Sequence, residues 1–464
     1  MKYFQILFLV LLSGVTDAVG QKILLRNVSV ISMTKESIDA GQDILVDNGK
    51  IAQIGRGIQA RGATVVDGTG KFVIPGLMDM HAHFYYEQGN NVNTCSDELK
   101  LMLANGLTTV RIANGDSLYL VARKMANTGQ WSSPELFVAS PSFAGTWPAG
   151  AKVFANICKT PEEGREAVRK SKREGYDAIK IVFDLKPAVY EAIADEAARV
   201  GIPVFGHVGP LVKLPMSLKY KQQNEHMDEF IEMLLPDTSV NRNQSVSDMN
   251  LWRAKAWETI PLLDESKIPS LVKQVKDAGI YVSPTNYFFD SFFGKGIPEN
   301  FASTNSEFAY VPAILKDEAW DIRSRYIKRL PSEASRERYR YLRKKIITEL
   351  WKAGVPLMAG SDSPQWFNVT GFAIHNEIEN LVECGLTPFA AMQTATVNPA
   401  RYLGIEKRKG TIAVGLDADL VVLSQNPLED IRNARKIEGV FRGGKYYSLQ
   451  DINRLLEEAR VLSK

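Results

Sequence analysis

The chain has 464 residues, of which 45% are apolar and 23% are charged, and its formal net charge is +3. This composition is ordinary for a soluble globular protein, and the length suits one large domain with a smaller one. The small net charge argues against nucleic acid or a strongly charged surface as a partner. The three cysteines are widely spaced and contain no CxxC pair, which excludes a cysteine zinc motif.

The N-terminus has the pattern of a signal peptide. Lys2 precedes an apolar run over residues 4–12, and the sequence AVG at residues 18–20 fits a cleavage site between small residues. The apolar run is too short to span a membrane as a stable helix. We therefore predict that residues 1–20 are a signal peptide and that the protein is exported, to a periplasm or beyond.

Strand-like segments at both ends of the chain predict a small β-sandwich domain. These segments are residues 23–33, 44–54, 65–73, 415–423 and 439–447. Asn48 and Gly49 form a strong hairpin signal between two of them. We predict that residues 21–73 and 404–447 build this domain together. Residues 448–464 have helical periodicity and predict a C-terminal helix.

Residues 74–403 alternate between short strands and helical segments, which is typical of right-handed βαβ units around a parallel sheet. The candidate strands are residues 74–83, 106–113, 135–141, 177–184, 201–208, 222–229, 279–286 and 354–363. Eight such strands predict a (β/α)8 TIM barrel, in which the chemistry lies at the C-terminal ends of the strands. The sixth segment, QQNEHMDE, is polar and has little β propensity.

Four of the five histidines fall at predicted strand ends. His81 and His83 end the first strand and share one face, because residues i and i+2 of a strand point the same way. Two neutral imidazoles on one face are suited to bind one metal ion. The alternative is a pair of histidines satisfied in the core. His207, His226 and Asp362 lie at the ends of three later strands, which favours the metal site.

Lys180 lies within the apolar strand AIKIVF. Alternation places it on one face with Ala178 and Val182, and this less bulky face is predicted to point into the barrel. Burial lowers the pKa of a lysine and exposes a nucleophilic amine, which can react with carbon dioxide to give a metal-bridging carbamate. The alternative is an ordinary buried ion pair with Asp362 or Asp184.

These residues lie in motifs that resemble the amidohydrolase superfamily. The motifs are VIPGLMDMHAHF, GLTTVR, IKI around Lys180, GHV at His207, EH at His226, AGSDSP at Asp362, HNEIENLVECGLTPFAAMQTAT, NPARYLG and GTIAVGLDADLVVL. Together they span nearly the whole chain after the leader. The chain looks most similar to the metal-dependent dipeptidase and prolidase-like branch, which is related to imidazolonepropionases.

The resemblance implies a binuclear metal centre. The implied ligands are His81, His83, Lys180, His207, His226 and Asp362. The first two histidines and the aspartate would hold the more buried ion, and the other two histidines would hold the second. A carboxylated lysine and a hydroxide would bridge the ions, with zinc as the expected metal and manganese or cobalt as alternatives. Asp362 would act as general base and then as general acid.

Four further residues are candidate substrate contacts. Tyr85 and Tyr287 could donate hydrogen bonds to the carbonyl oxygen of the scissile amide. Arg111 could bind a substrate carboxylate or form an ion pair that closes the barrel mouth. His375 could contact substrate, orient Asp362 or form only a structural hydrogen bond.

The motifs leave three hypotheses for function. The first is an exported hydrolase that cleaves a dipeptide or an N-acyl amino acid, acts on small molecules and forms a homo-oligomer. The second is the same chemistry on a cyclic amide, a lactone or a xenobiotic amide. The third is a non-catalytic binding protein, which the full set of ligand positions disfavours. Two insertions, at about 230–265 and 287–335, could tune specificity, and the second is either a lid or a surface loop that buries its aromatic residues.

Overall fold

The computed structural model describes residues 22–85, 92–146, 155–182, 184–236 and 257–460. The predicted signal peptide lies outside the described residues, as does much of the first insertion. Within these ranges, no helix combines the length and the apolar character that crossing a bilayer requires.

Short strands form three sheets within these ranges. In chain order the strands are β1 (Ile23–Val30), β2 (Asp39–Asp47), β3 (Lys50–Gly55), β4 (Thr64–Asp67), β5 (Phe72–Pro75), β6 (Leu77–Ala82), β7 (Leu107–Ile112), β8 (Glu135–Val138), β9 (Ser142–Ala144), β10 (Ala155–Ile157), β11 (Ile179–Ile181), β12 (Val204–Gly206), β13 (Gln223–Glu225), β14 (Val282–Ser283), β15 (Leu420–Leu423), β16 (Ile437–Arg442) and β17 (Lys445–Ser448).

Helices separate most of the central strands. They are Val92–Ala104, Ser117–Asn127, Pro161–Glu174, Pro187–Val200, Lys213–Lys219, Ile268–Ala278, Asn286–Phe288, Phe301–Thr304, Ala313–Ile327, Glu333–Lys352, Ala373–Glu383, Pro388–Thr394, Val397–Tyr402 and Leu449–Ala459. Local sequence explains many of their ends. The helix Pro161–Glu174 begins with a capping box between Thr160 and Glu163 and ends at Gly175, whose φ of 88° suits glycine.

Strands from both ends of the chain form one mixed sheet of eight strands. Its order is β17-β16-β15-β5-β1-β2-β3, and β4 also pairs with β1. The two chain ends meet where β5 pairs antiparallel with β15, for example at Val73 and Val422. The sequence predicts a sandwich here. The structure instead joins the strands edge to edge, because the ladder between β5 and β15 makes the hydrogen bonding continuous.

The central strands are parallel and belong to two further sheets, β6-β7-β8 and β10-β9-β11-β12-β13-β14. Isolated bridges link these sheets, between Ala139 and Ala178 and between Ala82 and Ser363. This is an α/β fold with the parallel strands typical of a TIM barrel, although no continuous ladder of the described residues closes a ring. The eighth predicted strand, residues 354–363, contributes single bridges only, because the chain turns sharply at Asp362, where φ is 53°.

Contacts between the end sheet and the central strands are both ionic and apolar. The buried ammonium of Lys409 pairs with Glu135 of β8 at 2.5 Å and also with Asp419, just before β15. The C-terminal helix Leu449–Ala459 packs Ile452 and Leu455 against the end of the helix Val92–Ala104. The end sheet is thus fixed against the strands that carry the predicted site.

Candidate metal centre

His81, His83 and Asp362 lie together at the end of β6. His81 and His83 each point Nε2 towards Asp362 Oδ1, at 3.5 Å and 3.3 Å. Backbone bonds hold the two segments side by side, since Asp362 N–H donates to the His81 carbonyl and His83 N–H donates to the Ser363 carbonyl, each at 2.7 Å. The potential ligand atoms of the three residues lie within 4.8 Å of one another, which suits one metal ion.

The close approach of these segments depends on a glycine. A Cβ atom at Gly360 would lie 2.5 Å from Ser283 Oγ and 2.7 Å from His81 Cβ. Both distances are shorter than the closest non-bonded contacts that Cβ atoms make in proteins. Glycine is therefore required at position 360, two residues before Asp362.

His207 and His226 lie beside the first group. Their rings stack with centroids 4.5 Å apart, and the His226 ring lies 4.6 Å from the ring of His81. The His226 Nδ1 atom is 3.9 Å from Asp362 Oδ2. Asp362 therefore lies within 3.9 Å of His81, His83 and His226.

Lys180 is buried in β11 and points at the same cluster. Its ammonium nitrogen lies 3.4 Å from His81 Nε2 and 5.1 Å from the centre of the Phe205 ring. No carboxylate of the described residues forms an ion pair with it, and Asp184 instead accepts a hydrogen bond from Thr146. Burial lowers the pKa of Lys180 to about 8, so a neutral amine is accessible near neutral pH.

Partners on the far side of three rings orient the histidines. Glu225 Oε2 lies 2.5 Å from His81 Nδ1, and Asp228 Oδ2 lies 2.8 Å from His207 Nδ1. Each carboxylate accepts the Nδ1 proton, so Nε2 keeps the lone pair that a metal needs.

Thr285 has the same role for His226. The Thr285 hydroxyl donates to the Pro284 carbonyl at 2.8 Å and lies 2.7 Å from His226 Nδ1. Because its proton is already donated, the hydroxyl accepts the Nδ1 proton of the imidazole. His226 therefore also keeps its lone pair on Nε2.

The sequence does not assign these orienting residues to any role. Glu225 and Asp228 flank His226 in NEHMDE, the segment that is unexpectedly polar for a strand. Asp79 is a further buried carboxylate, within the otherwise apolar run LMDMH of β6. It accepts the backbone N–H groups of His81 and Ser361, each at 3.0 Å, and so joins the two ligand segments. The sequence signal that could have identified these residues is a polar side chain where a buried strand predicts an apolar one.

Burial favours the uncharged forms of the clustered groups. Burial and the nearby Lys180 hold the pKa values of His81 and His83 well below the usual range, so both imidazoles are neutral. Burial raises the pKa of Asp362 to about 7, although Lys180 and His207 oppose that shift. Neutral imidazole is the form that binds metal, and a bound divalent cation favours the carboxylate of Asp362.

Arg111 forms an ion pair with Glu225, and its role as a substrate contact stays a prediction. It is 2% exposed, and its N–H groups donate to Met80 O at 2.7 Å, Gln223 Oε1 at 2.9 Å and Glu225 Oε1 at 2.5 Å. Its guanidinium carbon lies 3.9 Å from the centre of the Phe205 ring. These partners bind its donor groups, so Arg111 holds Glu225, which in turn contacts the ring of His81.

The two predicted tyrosines differ in their surroundings. Tyr85 follows His83 closely and is buried, and its hydroxyl has no hydrogen-bond partner among the described residues. Burial raises its pKa, and the nearby Thr370 hydroxyl opposes this shift. Tyr287 is half-buried, and its backbone N–H donates to Glu377 at 2.7 Å. Burial raises the pKa of Tyr287 to about 12.

His375 lies in a structural hydrogen bond. It is 1% exposed, and its Nε2–H donates to the carbonyl of Asn105 at 3.0 Å. No contact between described residues joins it to Asp362. Because its Nε2 proton is held by the backbone beyond the helix Val92–Ala104, the predicted role in orienting Asp362 is not supported.

The aromatic segment of the second insertion packs inward. Phe288, Phe289, Phe292 and Phe293 are buried and lie in edge and stacked contacts with one another. The Phe289 ring lies 5.8 Å from the His226 ring. This part of the insertion therefore forms an apolar wall beside the second histidine pair.

The donor set fits divalent metal ions. It combines imidazole nitrogens with a carboxylate, and buried carboxylate or hydroxyl partners fix the lone pairs of three rings. Zinc and similar divalent ions prefer this mixture of ligands.

Comparison with known proteins agrees with this donor set. The profile of the Amidohydrolase family matches residues 72–446. A dihydroorotase from Halalkalibacterium halodurans is 36% identical over 89 residues, which are 19% of this chain and 20% of that protein. The match thus spans about a fifth of the curated relative.

Two solved structures share the fold over nearly their full length. Bottromycin amidohydrolase superposes with a TM-score of 0.71 at 23% identity, over 95% of this chain and 90% of that one. A Xaa-Pro dipeptidase with bound methionine in its active site has a TM-score of 0.64 at 20% identity, over 92% of this chain and 100% of that one. The family match over most of the chain leads to one conclusion: the chain belongs to the Amidohydrolase family.

Proposed function

We propose that the protein hydrolyses the C–N amide bond of a dipeptide or an N-acyl amino acid at a centre of two divalent ions. The observation that carries this proposal is the approach of His81, His83 and His226 to one carboxylate, Asp362, beside the buried Lys180, with the His207 ring stacked on that of His226. The shared fold of the Xaa-Pro dipeptidase supports the substrate class.

We assign the ions to the two histidine pairs. His81 and His83 hold the more buried ion with Asp362, and His207 and His226 hold the second. Zinc suits imidazole and carboxylate ligands best, and manganese or cobalt also fits them. Ions held there would polarise the scissile carbonyl and would lower the pKa of bound water, which would supply hydroxide as the nucleophile at neutral pH.

Lys180 is proposed to be carboxylated and to bridge the ions. Its neutral amine adds to carbon dioxide, so that an N–C bond forms and one proton is released. The product is a carbamate, which offers two oxygen ligands. The support is that no carboxylate among the described residues forms a direct ion pair with Lys180, and that burial lowers its pKa to about 8 although the charges of Glu225, Asp362 and Asp228 oppose this shift. An ordinary ion pair with Asp362 or Asp184 is not formed.

Asp362 is proposed to move the proton of the reaction. It would take the proton of the attacking hydroxide and then donate that proton to the leaving nitrogen as the C–N bond breaks. Its position near three of the histidines places it beside both reactants. Tyr85 is proposed to donate a hydrogen bond to the substrate, since its buried hydroxyl lacks a partner among the described residues. Tyr287 is the second proposed donor.

A second candidate function is hydrolysis of a cyclic amide, a lactone or a xenobiotic amide by the same centre. The observation that favours it is the partial match to a dihydroorotase, which is named for a cyclic substrate. The ligands are the same for linear and cyclic amides. The surrounding loops therefore decide between the two candidates.

Export and self-association are also part of the proposal. The support for export is the signal-peptide pattern of residues 1–20. N-terminal sequencing of protein recovered outside the cytoplasm tests it, with cleavage expected before Gln21. Light scattering of the purified mature protein tests for a homo-oligomer.

The deciding experiment is turnover of a library of dipeptides and N-acyl amino acids by the metal-replete mature protein, with free amine as the readout. Hits that share one C-terminal residue type are expected. A library without hits, from protein that holds two ions, contradicts this substrate class. Cyclic amides and lactones assayed in parallel then test the second candidate.

A further inference from the structure

Arg343 reaches the candidate centre from the outer helix Glu333–Lys352. The side chain is 3% exposed. Its Nη1 donates to the carbonyl of His226 at 3.1 Å, its Nη2 donates to the carbonyl of Pro284 at 3.1 Å, and its Nε donates to Asn286 Oδ1 at 2.7 Å. One guanidinium therefore binds the backbone just after β13 and just after β14.

The two backbone segments that Arg343 joins are strained. His226 has a φ of 63° and Thr285 has a φ of 45°, both in the left-handed region that residues with side chains rarely adopt. Such conformations are unfavourable and persist where the surroundings hold them. The donors of Arg343 supply hydrogen bonds to carbonyls at these two turns.

Packing fixes the guanidinium between aromatic rings. Its central carbon lies 4.3 Å from the centre of the Phe289 ring and 5.7 Å from that of Tyr339. Phe289 also packs against the His226 ring. Arg343 thus binds the carbonyl of His226 directly. It also packs on Phe289, which in turn packs on the His226 imidazole.

The charge of Arg343 is costly at this position. No carboxylate forms an ion pair with it within the part of the chain that the structure describes. A buried cation with no carboxylate in direct contact is unfavourable, and Arg343 acts only at longer range on Asp228 and Glu377, where its charge opposes the rise in pKa that burial causes. The presence of a guanidinium here is therefore better explained by the hydrogen bonds that its N–H groups donate than by a contribution of its charge to folding stability.

We propose that Arg343 is a positioning residue for the second metal ion. It fixes the backbone of His226 directly, and it fixes Thr285 through the carbonyl of Pro284. Thr285 in turn binds Nδ1 of the His226 imidazole, which leaves Nε2 as the nitrogen that would bind a metal. The inference rests on the proposed binuclear centre and adds a residue outside the ligand set, on a helix that the site motifs do not include.

The test compares Arg343→Met with Arg340→Met. Arg340 lies three positions earlier on the same helix and pairs with Asp290 at 2.6 Å, where Lys295 at 3.1 Å also neutralises the carboxylate. The readouts are zinc bound per chain at limiting zinc, Tm of the metal-free protein, and kcat and KM. Arg343→Met is expected to retain one ion, to bind the second at least about tenfold more weakly, and to lose kcat with little change in KM.

Two further variants keep the test decisive if Arg343→Met fails to fold. Arg343→Lys is expected to bind the second ion with intermediate affinity, because lysine reaches one carbonyl and not both. Thr285→Val is expected to weaken the same ion, and combination with Arg343→Lys is expected to be non-additive, since both act through His226.

Several outcomes contradict the inference. One is a lowered Tm in Arg343→Met with both ions bound at wild-type affinity, which would assign Arg343 a structural role only. Equal loss of both ions, or additive effects of Thr285→Val and Arg343→Lys, also contradicts it. Wild-type protein that binds two ions but cleaves no amide contradicts the proposed substrate and leaves this metal-binding test intact. Wild-type protein without a second ion overturns both proposals.

Discussion

The Glu225 carboxylate lies 2.5 Å from His81 Nδ1, and both residues are fully buried. Arg111 binds the other carboxylate oxygen of Glu225, so a charge pair beneath the cluster fixes the orientation of a proposed metal ligand. The fold thus places a structural ion pair and a ligand in direct contact. Changes to that pair have consequences for stability and for metal binding that can be measured separately.

Arg111→Met is expected to destabilise the protein by about 3–5 kcal/mol, because Glu225 would remain buried without its partner. Urea unfolding measures this change. KM for substrate is expected to stay unchanged, since the Arg111 donors bind protein groups. Adding Glu225→Gln is expected to recover part of the stability. A raised KM at unchanged stability would instead assign Arg111 to a substrate carboxylate.

Asp228→Ala is expected to weaken binding of the His207 ion by about 10- to 100-fold, because the imidazole loses the acceptor that orients it. Asp228→Asn keeps an acceptor of similar size and is expected to lose less. Competition with a chelator of known affinity provides the measurement. Equal affinities in the wild type and the alanine variant would show that His207 is not a ligand.

Removal of divalent ions by a chelator is expected to abolish activity, and Zn²⁺ or Mn²⁺ is expected to restore it. Elemental analysis of the restored protein is expected to find two ions per chain. Activity that persists in protein shown to be metal-free would contradict the mechanism. Restoration at one ion per chain would limit the centre to a single metal.

Lys180→Ala is expected to lose metal occupancy, because the proposed bridging carbamate cannot form. Short carboxylic acids are expected to restore part of the occupancy and of the activity, since their carboxylate replaces the carbamate. Lys180→Arg is the matched control that keeps a cation but forms no carbamate. Full metal content in the alanine variant would argue against carboxylation.

His375 is expected to contribute to acid sensitivity. Burial lowers its pKa from 6.5 to about 3. Between these two pH values the unfolded chain binds a proton at His375 and the folded protein does not. This contribution to stability is complete above pH 6.5 and falls with decreasing pH, by about 1.4 kcal/mol per unit. His375→Gln is expected to flatten the acid limb in urea unfolding of chelated protein. Parallel curves would contradict this.

The sequence predicted the strand positions near the site well where apolar residues dominate. The segments around β6, β7 and β12 are buried runs that end at chemical groups, and strands were expected there. The segment before Asp362 was also predicted as a strand and forms single bridges only. Its apolar residues are buried, but the turn at Asp362 follows from long-range bonds to β6 that no local pattern reveals.

The site was predictable as residue types and only partly as a network. Most candidate ligands lie at predicted strand ends, and all of them lie in motifs that resemble the superfamily, so these two signals together identify them. Glu225, Asp228 and Arg343 act through partners far away in the chain, and such pairings require a folded structure. Arg343 lies in the basic run RERYRYLRKK, whose composition is that of a solvated helix face. Burial of one arginine in such a run depends on tertiary packing.

The pairing of β5 with β15 gives the protein a particular order of assembly. During synthesis, Val73 leaves the ribosome long before Val422, its partner in the ladder. Until the last strands are made, the N-terminal strands have an open edge, and open edges invite pairing with other chains. A chain cut short before Leu420 would keep all the candidate ligands and still lack the strands that cover this edge. Premature termination is therefore expected to produce aggregation before it produces a soluble, partly active enzyme.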